Sequence, residues 1–114
     1  MPQLECQLSG ELVGTNVQNL MVQLQHESWR VRDVATDEMM IENDFMSISI
    51  YEKNPGEEDG ECMMSGSLDG DLEIAKTQLD ELVRRFIETE IPYELELALT
   101  NDPSQSLSLS RFNY

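Results

Sequence analysis

One alternation of apolar and polar positions occurs twice along the chain, and this repeat predicts two matching strands. Residues 5–14 read ECQLSGELVG and residues 61–70 read ECMMSGSLDG, with six identical positions. Each copy has the two-residue period of a strand with one buried and one solvated face. Gly10 and Gly66 fall inside these strands, where glycine indicates a bulge or a close approach of another backbone.

The same succession of patterns follows each copy of the repeat. A helical stretch, an apolar strand, an Asn-Asp pair and a strand that alternates serine with apolar residues come after both copies. We therefore interpret the chain as a tandem β-α-β-β duplication within a single domain, residues 1–114. Its halves are expected at about residues 3–53 and 60–113.

Hydrophobic periodicity gives the expected elements of the first half. Strands are predicted over residues 3–13, 29–35 and 45–53. A helix capped by Thr15 or Asn16 should precede the second of these strands and end near residues 26–28. Residues 36–44 are interpreted as a turn or a short irregular edge with an apolar centre at Met39–Ile41.

In the second half the pattern predicts a helix over about residues 71–89, capped by Asp71. Strands over residues 91–100 and 105–113 follow, and Pro92 favours an edge position for the first of them, or at least a place among its first residues. These elements predict an α+β two-layer sandwich, with two helices on one face of a mostly antiparallel sheet of about six strands. The expected architecture is a ferredoxin-like variant with an extra strand in each half and a pseudo-twofold between them. Such a likeness carries no function.

Charge narrows the range of functions more than any motif does. The chain has 23 acidic and 7 basic residues, a formal net charge of −16. Such a field repels nucleic acids and anionic membrane surfaces, and it attracts basic proteins. We therefore expect a basic protein partner, no nucleic acid and no membrane. The acidity also admits a simpler interpretation, since charge alone confers solubility.

Catalytic motifs are missing from the sequence. It has no phosphate-binding glycine loop, no nucleophile elbow and no HExxH motif. The only histidine, His26, is predicted to be a surface residue at a helix end. Cys6 and Cys62 are expected to be small buried residues, and no Cys/His spacing indicates zinc. We therefore expect no enzymatic activity, cofactor or metal.

Two further expectations concern the compartment and the arginines. No apolar run approaches the roughly 20 residues that span a bilayer, and the first residues lack the build of a signal peptide. A cytoplasmic protein is expected. Arg30 and Arg32 should lie on the solvated side of a strand and pair with acids across the sheet.

The leading hypothesis is a non-enzymatic protein that docks an acidic surface onto a basic partner, as an inhibitor or immunity protein or as a mimic of nucleic-acid charge. The candidate contact residues are acids of the solvated strand face, acids of the turn after Pro55, and one methionine. They are Glu5, Glu11, Glu57, Glu58, Asp59, Glu61, Met63, Glu94 and Glu96.

Two alternatives remain open from the sequence. Seven methionines, among them Met63, suit a small homodimeric adaptor or chaperone that binds apolar segments. A ligand-binding regulatory domain is the other alternative, and it is supported only by the expected fold class.

Overall fold

A computed structural model of the chain describes residues 4–55 and 60–111. These residues contain seven strands and two helices. In chain order they are β1 (Glu5–Val13), α1 (Val17–Gln23), β2 (Arg30–Ala35), β3 (Glu38–Glu42), β4 (Met46–Glu52), β5 (Glu61–Asp69), α2 (Leu72–Glu88), β6 (Tyr93–Leu99) and β7 (Asp102–Arg111).

The two copies of the repeat lie side by side at the centre of the sheet. The strand order is β2-β3-β4-β5-β1-β6-β7, and every neighbouring pair is antiparallel. In the central β1–β5 pair, Ser9 lies opposite Ser65, its own counterpart in the repeat. A local twofold axis therefore passes between these two serines.

The predicted fold class is wrong in strand number and in strand order. The sheet has seven strands, and its order is not that of a ferredoxin-like fold. The additional strand is β3, which forms where the sequence predicted a turn or an irregular edge. Met39 and Ile41 are fully buried while the residues between and beside them are half-exposed, so this short segment has the two-residue period of a strand.

The pseudo-twofold axis expected between the two halves is also wrong. Counted from the centre of the sheet, the last two strands of one half lie in the opposite order to the last two strands of the other half. From the centre outward, β6 and then β7 follow β1, whereas β4 and then β3 follow β5. The first half is therefore β-α-β-β-β and the second β-α-β-β. Of the two positions expected from Pro92, the edge of the sheet is wrong and the beginning of the strand agrees with the structure. β6 lies between β1 and β7, and Pro92 precedes it, where no ladder N–H is needed.

One face of the sheet carries the core, and both helices cover that face, as expected. α1 buries Val17 and Leu20 and contacts β3 and β4, and α2 lies over β5, β1, β6 and β7. The longer helix buries Ala75, Leu79, Leu82 and Phe86. Burial of apolar area of this kind is the main stabilising contribution in a domain of this size.

Local signals explain where the helices begin and end. Asn16 and Asp71 are the N-caps, and their side chains accept hydrogen bonds from the N–H groups of Asn19 and Ile74 at 2.8 and 2.9 Å. α1 ends at Gln23, before the predicted residues 26–28. The indole N–H of buried Trp29 donates to the carbonyl oxygen of Leu24 at 2.7 Å, which satisfies an acceptor just after the last turn.

Gly10 and Gly66 are sites of close backbone approach, as the sequence predicted. A Cβ atom at Gly10 would lie closer than 3.0 Å to the carbonyl oxygen of Glu94 on β6. A Cβ atom at Gly66 would lie equally close to the carbonyl oxygen of Ser47 on β4. The repeat therefore places one glycine in each central strand. Each glycine allows the strand on its outer side, β6 beside β1 and β4 beside β5, to approach closely.

Candidate functional site

No described residue covers the sheet face opposite the helices, so this face is open to a partner or ligand. Antiparallel register sets its side chains in rows that cross several strands. One row runs across β4, β5, β1, β6 and β7 as Tyr51, Met63, Glu11, Glu94 and Ser110. The next row on this face runs across the same strands as Ser49, Ser65, Ser9, Glu96 and Ser108.

These two rows enclose a shallow groove of about 290 Å³ across β5, β1, β6 and β7, which we name the acidic groove. Gly10 and Leu95 contribute main chain to its floor, because their side-chain positions face the helices. The side chains that line it are Ser9, Glu11, Met63, Glu94, Glu96 and Ser108.

Three carboxylates are held close together in the acidic groove. Glu11 lies directly opposite Glu94, so their Cβ atoms are about 5 Å apart. Glu96 is two residues further along β6 on the same face, about 7 Å from Glu94. Like charges in directly opposed positions destabilise a sheet. The fold therefore tolerates an unfavourable arrangement at this place.

No cation of residues 4–55 and 60–111 compensates the three carboxylates within the 4.0 Å limit of an ion pair. Two other acids of the same face have ion pairs. Arg32 Nε lies 2.8 Å from Glu42 Oε1, as expected for an arginine that pairs across the sheet, and Lys53 Nζ lies 3.3 Å from Glu61 Oε2. The acidic groove is thus a local concentration of unpaired negative charge.

An apolar flank adjoins the carboxylates. Met63 is half-buried beside Glu11, and Tyr51, with 41% of its surface exposed, lies next to Met63 in the same row. Methionine adapts its shape to a bound group, and an aromatic face attracts a cation. The surface therefore offers apolar contact and negative charge within one row of side chains.

The structure brings together four of the nine residues that the sequence singled out: Glu11, Met63, Glu94 and Glu96. Glu5 lies at the other end of β1, opposite Asp69, roughly 20 Å along the strand from Glu11. Glu61 is engaged with Lys53. The remaining three, Glu57, Glu58 and Asp59, lie outside the described residues.

Sequence reasoning missed Tyr51, Ser9 and Ser108. Their alternation places all three on the solvated face, and that was readable in the sequence. Their proximity to the carboxylates depends on the pairing of β4 with β5 and of β1 with β6, which no local signal gives. An alternating strand shows which face a residue takes but not which strand lies beside it.

The histidine and the two cysteines lie apart from the acidic groove. His26 belongs to the helix layer, where it stacks on Trp29 and its Nε2 lies 3.0 Å from Glu81 Oε1. Cys6 and Cys62 are buried free thiols, as expected. Burial, with a smaller effect of Glu52, raises the pKa of Cys62 to about 11, which keeps its thiol protonated at neutral pH.

Metal binding finds no support in the geometry of the described segments. Among residues 4–55 and 60–111, no group of three or more His, Cys, Asp or Glu side chains is arranged to hold a metal ion. Within the same residues, no helix has both the length and the apolar character to cross a membrane.

Comparison of the chain with protein-family models, with curated proteins and with solved structures found no match. The assignment of a function therefore depends on the chemistry of the surface itself.

Proposed function

We propose that this protein is a non-enzymatic interaction protein that docks its acidic groove onto a basic surface of a partner protein. The observation that carries the proposal is the uncompensated carboxylate set of Glu11, Glu94 and Glu96. A net charge of −16 supports it, because the field of the whole chain speeds the encounter with a basic protein.

The groove favours an arginine or lysine side chain of the partner as the inserted group. Such side chains combine an apolar stem with a charged head. The stem would pack on Met63 and Tyr51 while the head bonds to the carboxylates of Glu11 and Glu94, which lie in the same row. A cation placed there would also relieve the repulsion between the two opposed glutamates.

The proposal has a finer form, in which the protein is an inhibitor or immunity protein that covers a nucleic-acid-binding site. In that form the carboxylates of β1 and β6 take the place of backbone phosphates at a basic surface. We also propose a cytoplasmic location. It is supported by the free state of both cysteines, which is usual in a reducing compartment.

The test is affinity capture from a nuclease-treated lysate of the source organism, washed first at low and then at high salt. Three baits are compared: the wild type, a groove variant with Glu11→Gln, Glu94→Gln and Glu96→Gln, and a control variant with equal charge change. The control carries Glu27→Gln, Glu73→Gln and Glu90→Gln, which are exposed residues without an ion pair among the described residues.

The proposal predicts a basic protein that binds the wild type and the control at low salt, leaves at high salt and is absent from the groove variant. An oligonucleotide added to the wash should release that protein if the finer form holds. Equal recovery of the same protein by the groove variant and the wild type would contradict docking through the groove.

A further inference from the structure

The two edges of the sheet differ in how well they are protected against pairing with another strand. Edge strands expose unpaired N–H and C=O groups, and proteins commonly block them with charges, bulges or short length. β2 has all three protections: it spans six residues, it carries Arg30 and Arg32, and its register shifts between Asp33 and Ala35.

β7 has one register shift, opposite Ala98 and Leu99, with Pro103 beside it, but from Ser106 to Ser110 it has neither a shift nor a charge. It spans ten residues, and from Pro103 to Ser110 it contains no charged side chain. Its alternating residues are exposed serines on the open face and half-buried leucines, Leu107 and Leu109, on the helix face. No described residue lies beyond it in the sheet.

The sequence of β7 is symmetric about Ser108. Residues 106–110 read SLSLS, the same in both directions. An antiparallel copy centred on Ser108 would therefore place Ser106 opposite Ser110 and Leu107 opposite Leu109 of the second chain. Serines then meet serines on the open face and leucines meet leucines on the helix face, which is the self-complementarity that a twofold interface requires.

We propose that the protein forms a homodimer through antiparallel pairing of β7 with β7 of a second copy, which continues the sheet across both chains. The high net charge of the chain does not prevent this contact, because residues 103–110 of β7 contain no acid. Glu96, the groove carboxylate that lies directly opposite Ser108, would face its counterpart across three strand spacings, about 14 Å. That distance exceeds the Debye length of about 8 Å at physiological ionic strength.

The dimer would present two acidic grooves on one continuous face, yet the inference does not depend on what the grooves bind. Salt separates the two associations. Screening weakens docking onto a basic partner, whereas it reduces the repulsion between two acidic chains and tightens a contact made by neutral strands.

The test is sedimentation equilibrium of the full chain at about 0.1 M and about 1 M salt, where the Debye length is about 10 and about 3 Å. The variant Ser108→Lys places two ammonium groups opposite each other across the dimer axis, while within one chain the new lysine lies beside Glu96. The matched control is Ser65→Lys, an exposed position on the same face but on the central strand β5. Circular dichroism confirms that both variants fold.

We expect a dimer whose dissociation constant decreases at the higher salt, rises at least about fivefold in Ser108→Lys and stays within about twofold in Ser65→Lys. In a second measurement, a short bis-maleimide should cross-link Ser108→Cys between two chains, since residues opposed across paired strands have Cβ atoms about 5 Å apart. A monomer at every concentration and salt, an equal loss in both lysine variants, or no interchain cross-link in Ser108→Cys would overturn the proposal.

Discussion

Substitution of Gly10 by alanine tests the close packing of β1 against β6 that shapes the floor of the acidic groove. The added Cβ would lie closer than 3.0 Å to the main-chain oxygen of Glu94 and 2.7 Å from Cδ2 of Leu95. The leucine methyl group can move, but the carbonyl oxygen belongs to a paired strand. The strain can be relieved only if β1 and β6 separate locally.

The magnitude follows from two opposing effects. Overpacking of a well-packed site destabilises a protein by about 1–3 kcal/mol, and contact with a main-chain atom places Gly10→Ala near the upper end. Loss of backbone freedom in the unfolded chain offsets this by about 0.4–1 kcal/mol. We expect a net loss of about 2 kcal/mol in the free energy of unfolding. At about 4 °C per kcal/mol this lowers the Tm by roughly 8 °C.

The assay is urea denaturation followed by circular dichroism, with thermal unfolding as a second measurement. Gly66→Ala should give a loss of similar size, because the Ser47 carbonyl oxygen meets it in the same way. Ser9→Ala, a change at the neighbouring exposed position of the same strand, should stay within about 0.5 kcal/mol of the wild type. An unchanged or higher stability of Gly10→Ala would show that β1 and β6 accommodate the added methyl group without strain.

Three further predictions concern the helix cap, a buried thiol and the groove charges. Asp71→Ala should lower the free energy of unfolding by about 1 kcal/mol in urea denaturation, because it removes the cap bond to the Ile74 N–H; no loss would contradict the role of this cap. Because burial raises the pKa of Cys62 from 9.0 to about 11, the unfolded chain releases this proton first, so its contribution to stability is complete below pH 9 and lost as pH rises through about 11. Unfolding measured across this range should show a shallower decline in Cys62→Ala, and equal declines would count against the assignment. Glu94→Gln removes repulsion with Glu11, so it should raise the urea midpoint at low salt, by an amount that shrinks at high salt; a lower midpoint at low salt would show that the charge stabilises the fold.

Local signals in the sequence predicted much of the secondary structure. The alternation in residues 5–14 and 61–70 gave both central strands, and Asp71 marked the beginning of α2 because a cap is a contact between residues three apart. β3 was missed because it has only five residues between two turns. So short an apolar run gives no clear period until its neighbours β2 and β4 are known.

Strand order was beyond the reach of local signals. The hairpins β3–β4 and β6–β7 resemble each other in sequence, yet they enter the sheet in opposite order. The difference depends on where in the sheet each half of the chain places the strand that follows its helix. α1 leads to the far edge, and α2 leads to a strand next to the centre. Such choices are decided by the packing of the whole sheet, not by periodicity.

For the candidate site too, the sequence pattern predicts the sheet face of each residue, but strand pairing decides which residues meet. Alternation placed Glu11, Met63, Glu94 and Glu96 on the solvated face, and the structure has them there. Their meeting in one groove required the pairing of β1 with both β5 and β6. Glu5 has the same alternation as Glu11, but it lies at the opposite end of the strand and outside the groove.

We propose that three carboxylates in the acidic groove, more than the net charge of the chain, hold a basic partner. The most direct measurement is titration calorimetry of the purified captured partner against the wild type, the groove variant and the charge-matched control, each at low and high salt. We predict that the groove variant loses most of the affinity and most of its salt dependence, while the control stays close to the wild type. Equal losses in the groove variant and the control would contradict the claim, because they would show that only the total charge matters.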